Sequence, residues 1–329
     1  MRGTTNLILG SGFVVMWSSG FIGSTLAAGS VPTTTLLMWR FLLAGGLLLG
    51  WRLLARVARL GGLARLAGLL GLAGLPWPMR PTGPIARHRL SGREILLHSV
   101  VGLLAQGVFL SAVFLAAELG VPAGTAALIA ALQPVLAAAL SGLLLGESTS
   151  ARQWLGLAVG LAGVALVVSG DLSGDSGAAP IGYTLPFVAM LSLVAATFVE
   201  RRARLNTPIV DVLTIQCVAS AALFGALAVA TGTAALPSGG AFWFALAWVV
   251  VLCTFGAYGF YWANLRRGSV TRVSSLLYLT PPTTMLWAYA MFGQRIDVLG
   301  LVGLAICAVA VTLVVRGGRN MSASGVTME

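Results

Sequence analysis

Ten stretches of predominantly apolar residues run through the chain, at about 6–23, 33–51, 96–117, 122–145, 153–169, 181–199, 210–230, 242–264, 270–292 and 298–315. Nothing else in the sequence restricts the fold so tightly. Stretches of about 20 such residues match a hydrocarbon core about 30 Å thick. No water reaches a peptide group there, so each stretch must satisfy its hydrogen bonds internally, as an α-helix. The links between stretches are mostly short and leave little mass for a soluble domain. Only 9% of the residues are charged and mean hydropathy is +0.94, against roughly 25% charged residues in soluble domains. The expected class is an all-α membrane protein of ten transmembrane helices.

A net charge of +11 would suggest nucleic acid in a soluble chain. Here the charge follows topology. All 20 basic residues are Arg. With the N-terminus in the cytoplasm, ten spans leave Glu118, Asp171, Asp175, Asp297 and one basic residue, Arg295, outside. Arg2, the eight arginines within 52–93, Arg152, Arg201, Arg202, Arg204, Arg266, Arg267, Arg272, Arg316 and Arg319 then lie inside. Retention of positive residues on the inner side sets orientation. Both termini are therefore expected in the cytoplasm, and the protein in the cytoplasmic (inner) membrane. The expected partners are the lipid bilayer and a small-molecule substrate, not nucleic acid.

The chain also repeats itself. Residues 121–168 reappear without a gap as 268–315: Pro134 falls on Pro281, Gly146 on Gly293 and Gly156 on Gly303, a step of 147 (281 − 134). Residues 13–18 fall on 187–192 with a step of 174 (187 − 13), and Pro32 to Arg40 can be laid on Pro208 to Gln216 with a step of 176 (208 − 32). The first half thus carries about 27 extra residues (174 − 147), between its second and third spans. The expected organisation is a first repeat at 1–170 (helices 1–5, with a cytoplasmic insert at about 52–94), a second at 181–316 (helices 6–10) and a cytoplasmic tail at 317–329. Five spans per unit is an odd number, so the two units must be inverted relative to one another, as in secondary transporters. The insert reads as an Arg-bearing helix on the cytoplasmic surface; an eleventh span would bury Arg65 and invert every later helix. The N-terminal stretch could be mistaken for a cleaved signal peptide, but cleavage would remove a helix that has a counterpart in the second half.

Several residue groups add to this pattern: Trp17-Ser18-Ser19-Gly20-Phe21, Arg40-Phe41, Gln133-Pro134 with Leu143-Leu144-Leu145-Gly146-Glu147, Ala263-Asn264-Leu265-Arg266-Arg267, and Leu277-Tyr278-Leu279-Thr280-Pro281. With these motifs in order, the chain resembles the EamA-type branch of the drug/metabolite transporter superfamily. The resemblance implies export of amino acids or related small metabolites by alternating access, with no cofactor. Two departures stand out. Gly293-Gln294 replaces the Gly-Glu that closes the fourth helix, and Pro281-Pro282 stands where one proline is usual.

No enzyme is visible. No His, Cys or carboxylate group has metal-ligand or acid–base spacing, and there is no P-loop. Cys217, Cys253 and Cys307 fall inside spans and read as small buried hydrophobes. No Asp or Glu lies near the centre of a span, which disfavours a cation antiporter built on a buried carboxylate.

Arg40 is the strongest single residue. It sits about 12 Å into the second helix at 1.5 Å per residue. Such a charge faces a cavity or a partner. It either attracts a substrate carboxylate or clamps backbone carbonyls, and its repeat equivalent, Gln216, suits the clamp. At 100° per residue Thr254, Phe255, Tyr258, Tyr261 and Trp262 share a face of the eighth helix, and Ser274, Tyr278, Pro281 and Met285 a face of the ninth. The candidate substrate-binding residues are Trp17, Ser18, Arg40, Gln106, Gln133, Tyr258, Trp262 and Tyr278. Ordinary packing and interfacial aromatic belts are the competing account. Pro134 and Pro281, at equivalent positions, are candidate bends or gates. Gly156, Gly160, Gly303 and Cys307 form small-residue faces suited to close packing, or alternatively to a homodimer contact. The other functional readings are an exporter of aromatic or drug-like organic compounds, suggested by the aromatics of the eighth helix, and a membrane protein that transports nothing.

Overall fold

A computed structural model describes residues 2–60, 90–145, 151–173, 177–203, 207–267 and 276–324. Every regular element among them is helical. In chain order these are α1 (Arg2–Ala27), α2 (Thr33–Leu60), α3 (Gly92–Gly102), a π-helical segment π1 (Leu103–Val108), α4 (Phe109–Glu118), α5 (Ala123–Ala130), α6 (Gln133–Leu145) and α7 (Ala151–Ser173). A short 3₁₀ turn then leads into α8 (Thr184–Ala203), followed by α9 (Ile209–Ala230), α10 (Gly240–Trp248), a second π-helical segment π2 (Val249–Gly256), α11 (Ala257–Arg267), α12 (Thr280–Phe292) and α13 (Val298–Ser324). Among the described residues, eight helical stretches are long and apolar enough to cross a membrane, and Val298–Leu313 is a shorter apolar helix.

Lipid tails are as apolar as leucine, so packing rather than water exclusion holds such helices together. Glycines make the closest contacts. On α1, a Cβ at Gly12 would collide with the Phe260 ring, one at Gly20 would lie 2.9 Å from Cys253 Sγ, and one at Gly23 would collide with Val249. That face lets α1 lie against π2 and α11. Asn264 fastens the same pair by donating to the carbonyls of Leu9 (2.7 Å) and Phe260 (2.8 Å).

The most extensive helix pair is α7 with α13. Gly160 faces Ala310, Gly163 faces Cys307, Gly303 faces Val167 and Gly170 faces Leu299. One number rises as the other falls, so the two helices are antiparallel. A shift of 147 residues turns Gly160 into Cys307, and Cys307 Sγ points at the Gly160 carbonyl at 3.6 Å. The same shift turns Gly163 into Ala310, so the Gly160–Ala310 and Gly163–Cys307 contacts are one contact seen from either side, the signature of a two-fold relation. Gly160, Gly303 and Cys307 of the small-residue faces thus meet within the chain.

Two expected helices are broken. The stretch at 122–145 turns at Ala131 and Leu132 before α6, and the stretch at 270–292 turns at Tyr278 and Leu279 before α12. The hydrogen bonds match one for one. Leu132 N donates to Ile129 O (3.1 Å) as Leu279 N does to Leu276 O (3.0 Å), and Leu136 N to Leu132 O (2.9 Å) as Thr283 N does to Leu279 O (3.2 Å). Pro134 and Pro281 sit in the first turn of the following helix, where a missing N–H costs nothing. The π-segments match as well: adding 147 to 103–108 gives 250–255, inside π2.

Two boundaries differ from expectation. α2 runs on to Leu60, because Arg, Leu and Ala favour helix until Gly61. The region expected as the start of the insert therefore extends α2, and Arg52 pairs with Asp211 at 2.7 Å at the foot of α9. The rest of the insert, 61–89, lies outside the described residues, as does Glu147. The expected tail begins as helix, since α13 extends to Ser324.

Candidate functional site: a cavity at the π-segments and helix breaks

α1, α2, π1, α4, α8, π2 and α11 surround a cavity enclosing about 710 Å³ of atom-free space, part of it open to solvent. Trp17, Gly20 and Phe21 reach it from α1, Arg40 from α2, and Ala105 and Gln106 from π1. Phe109, Leu110 and Val113 of α4 and Leu193 of α8 extend the apolar wall, while Cys253, Thr254, Ala257 and Tyr258 close it from π2 and α11. A second cavity of about 380 Å³ shares Trp17, Phe21, Phe109 and Leu193 with the first, and continues to Ala127, Ala130, Ala131, Gln133, Pro134, Leu277 and Thr280. The two π-segments thus open onto the first cavity, and both helix breaks onto the second. Non-α backbone at membrane depth is tolerated where it lines a cavity.

Arg40 is 4% exposed, and its Nε and Nη1 find no hydrogen-bond partner among the described residues. Its guanidinium carbon lies 5.6 Å from the centre of its neighbour's ring, Phe41. No backbone carbonyl accepts from those two nitrogens. Trp17 stands against Phe13 at 5.6 Å and edge-on to Tyr258 at 6.4 Å, and lines both cavities. Gln106 lines the first cavity, but its Nε2 donates to Gln216 Oε1 at 2.7 Å. Thr254 donates to the Val249 carbonyl five residues back, at 3.1 Å, inside π2. Gln133 donates to Thr197 Oγ1 at 3.2 Å and faces the second cavity, where the Thr280 hydroxyl is buried with no partner among the described residues.

Other expected residues go elsewhere. Ser18 is fully buried and donates to the Thr280 carbonyl at 3.3 Å, tying α1 to the break before α12. Tyr278 packs on the apolar cluster of Val135, Ala139 and Leu157. The aromatic face expected on the eighth helix is divided. Tyr258 and Thr254 face the cavity, Phe255 packs on the cluster holding Leu36, Phe41 and Phe224, and Tyr261 meets Phe13 at 6.1 Å. The side chain of Trp262 lies outside those described. Gln294, one of the two departures noted in the sequence, accepts from the Ala123 amide at 3.3 Å and so caps α5.

Phe21, Phe109, Leu193 and Thr280 were not singled out as site residues, because ordinary apolar side chains and threonines carry no signal in a span. A buried polar group was also missed. Thr207 Oγ1 lies 2.9 Å from His98 Nε2 and donates to Glu94 Oε1 at 3.2 Å, joining residues 109 and 113 positions apart.

A family model described as the EamA-like transporter family matches residues 4–169 and again 180–316. The chain belongs to the EamA-like transporter family. The family resemblance read from the motifs therefore stands, and the EamA-like chain is a multi-pass inner-membrane protein. It is 26% identical over 305 residues to the uncharacterized inner membrane transporter YedA of Escherichia coli K12, covering 92% of this chain and 88% of that one. The YedA proteins of strains CFT073 and O157:H7 match equally. A solved crystal structure superposes with a TM-score of 0.57 over 94% of this chain and 97% of its own, at 20% identity, which is a likeness of fold alone. Membership of a transporter family argues against an enzyme.

Proposed function

We propose that this EamA-like protein exports amino acids or related small metabolites across the cytoplasmic membrane by alternating access. In this reading ten spans form two inverted five-helix halves with both termini in the cytoplasm, and the two adjoining cavities are the transport site. The observation that carries it is the origin of the first cavity's walls. Trp17, Arg40 and Gln106 come from the first family match, and Thr254 and Tyr258 from the second. A site built between two halves is one that rocking of the halves exposes to alternate sides. The antiparallel contact of α7 and α13 at repeat-equivalent residues supports the inversion. Pro134 and Pro281, at matching breaks beside the second cavity, are the proposed bending points. Ser18 and the cavity-facing Gln106 and Gln133 support the walls, and no cofactor is needed.

The test is uptake of a radiolabelled metabolite panel into proteoliposomes. Transport of amino acids or small metabolites that disappears in Trp17→Ala is expected. A correctly folded protein that moves none of them overturns the reading. Export of aromatic or drug-like organic compounds is the second reading, favoured by the rings of Trp17, Phe21, Phe109 and Tyr258 on one cavity. Competition between an aromatic and an aliphatic amino acid separates the two.

A further inference from the structure

We propose that Arg40 is an anion subsite, and that the first cavity takes a carboxylate carried on an apolar body and makes no demand for an amine. The proposal rests on reading this cavity as the transport site.

A guanidinium stays protonated under all ordinary conditions, so burial cannot neutralise it as it can a lysine. An uncompensated charge in such a place is strongly unfavourable. The nearby Phe41 ring offsets part of this without engaging the directional N–H donors. The two halves show what is missing. The repeat equivalent of Arg40 is Gln216 (216 − 40 = 176), and Gln216 is satisfied by Gln106 at 2.7 Å. The equivalent of Gln106 is Cys253 (253 − 106 = 147), which lines the same cavity as Arg40. A thiol is a poor acceptor for a guanidinium. Of the two repeat-related pairs across the halves, Gln106–Gln216 is therefore closed by a hydrogen bond, and Arg40–Cys253 leaves Nε and Nη1 open. Among the described residues, no Asp or Glu lines either cavity. The compensating anion must then arrive with the ligand, and an ammonium on that ligand finds no carboxylate. The remaining wall is apolar, so the body of the ligand is apolar too.

Purified protein in nanodiscs can be titrated with phenylacetate, phenylacetamide, phenylalanine and phenylphosphonate, following thermal stabilisation and Trp fluorescence. Phenylacetate is expected to bind about tenfold more tightly than its neutral amide, the size of one charge-assisted hydrogen bond. Phenylalanine should bind no better than phenylacetate. The preference for acid over amide should vanish in Arg40→Gln and survive in part in Arg40→Lys. Equal binding of acid and amide by the wild type overturns the subsite without recourse to any variant. So does an acid preference that persists in Arg40→Gln, while a stronger response to the phosphonate than to the carboxylate overturns the carboxylate assignment. Proteoliposome flux keeps the two readings apart. Transport of neutral compounds with no response to acids sinks the subsite alone, while acid binding without any flux sinks the transport reading alone.

Discussion

Gln216→Leu leaves the Gln106 amide without its acceptor at a position 5% exposed. An orphaned buried donor costs about 1–3 kcal/mol, so the variant should unfold at lower temperature in detergent. The double variant Gln106→Leu, Gln216→Leu should regain part of that loss, and an additive loss would show that the pair is not coupled. Glycines give a second test at this scale. A Cβ at Gly303 would collide with Val167 and lie 2.7 Å from the Gly163 carbonyl, whereas one at Gly46 meets nothing within 4 Å. Gly303→Ala is expected to lower stability by about 1–3 kcal/mol through overpacking. Gly46→Ala should be neutral or slightly stabilising, since alanine is the better helix former. Equal melting temperatures for the two would refute the close α7–α13 approach. Arg40 was legible in the sequence because a charge among leucines has few explanations. The Glu94–Thr207–His98 group was not, because only the fold brings Thr207 to the other two.

Irregular backbone is the property that distinguishes the elements around the cavities. Thr254 donates to the carbonyl five residues back, a π-type spacing. Thr254→Val keeps shape and volume but removes that bond. Transport should fall at least several-fold while thermal stability changes by no more than about 1 kcal/mol, the net worth of one hydrogen bond. Unchanged flux would mean that the π geometry does not need the hydroxyl. The helix breaks were legible, because Pro134 and Pro281 recur at the repeat step and a proline cannot continue the ladder behind it. The π-segments were not, since one extra residue in a turn leaves no compositional mark. Positions on the eighth and ninth helices were projected at 100° per residue, but π2 and the turn at Tyr278 and Leu279 interrupt that spacing. Among the described side chains of the expected faces, Tyr258 and Thr254 line the first cavity, while Phe255, Tyr261 and Tyr278 pack against other side chains.

For the whole molecule, the crossing of α7 and α13 offers a direct probe of symmetry. A Cβ at Gly163 would lie 2.9 Å from Cys307 Sγ. Gly163→Cys, in a background lacking Cys217 and Cys253, should therefore form a disulfide with Cys307 on mild oxidation, seen as two fragments held together after cleavage between the halves. On the proposed reading, in which the halves rock while this close contact stays fixed, flux should survive the cross-link. Loss of flux on oxidation, restored by reductant, would place the motion at this contact instead. The all-helical, membrane-spanning class was readable at this scale because lipid allows so few backbone solutions; side-chain meetings across the chain were not, since they depend on crossing geometry.

The unpaired guanidinium of Arg40 has an electrical consequence. On the proposed transport reading, an empty carrier holds one fixed positive charge at the cavity, and a carrier loaded with a carboxylate holds none. Membrane voltage, worth about 2.3 kcal/mol per charge per 100 mV, would then act on the return of the empty protein and not on the loaded step. Net flux should respond to an imposed potential, while substrate-for-substrate exchange should ignore it.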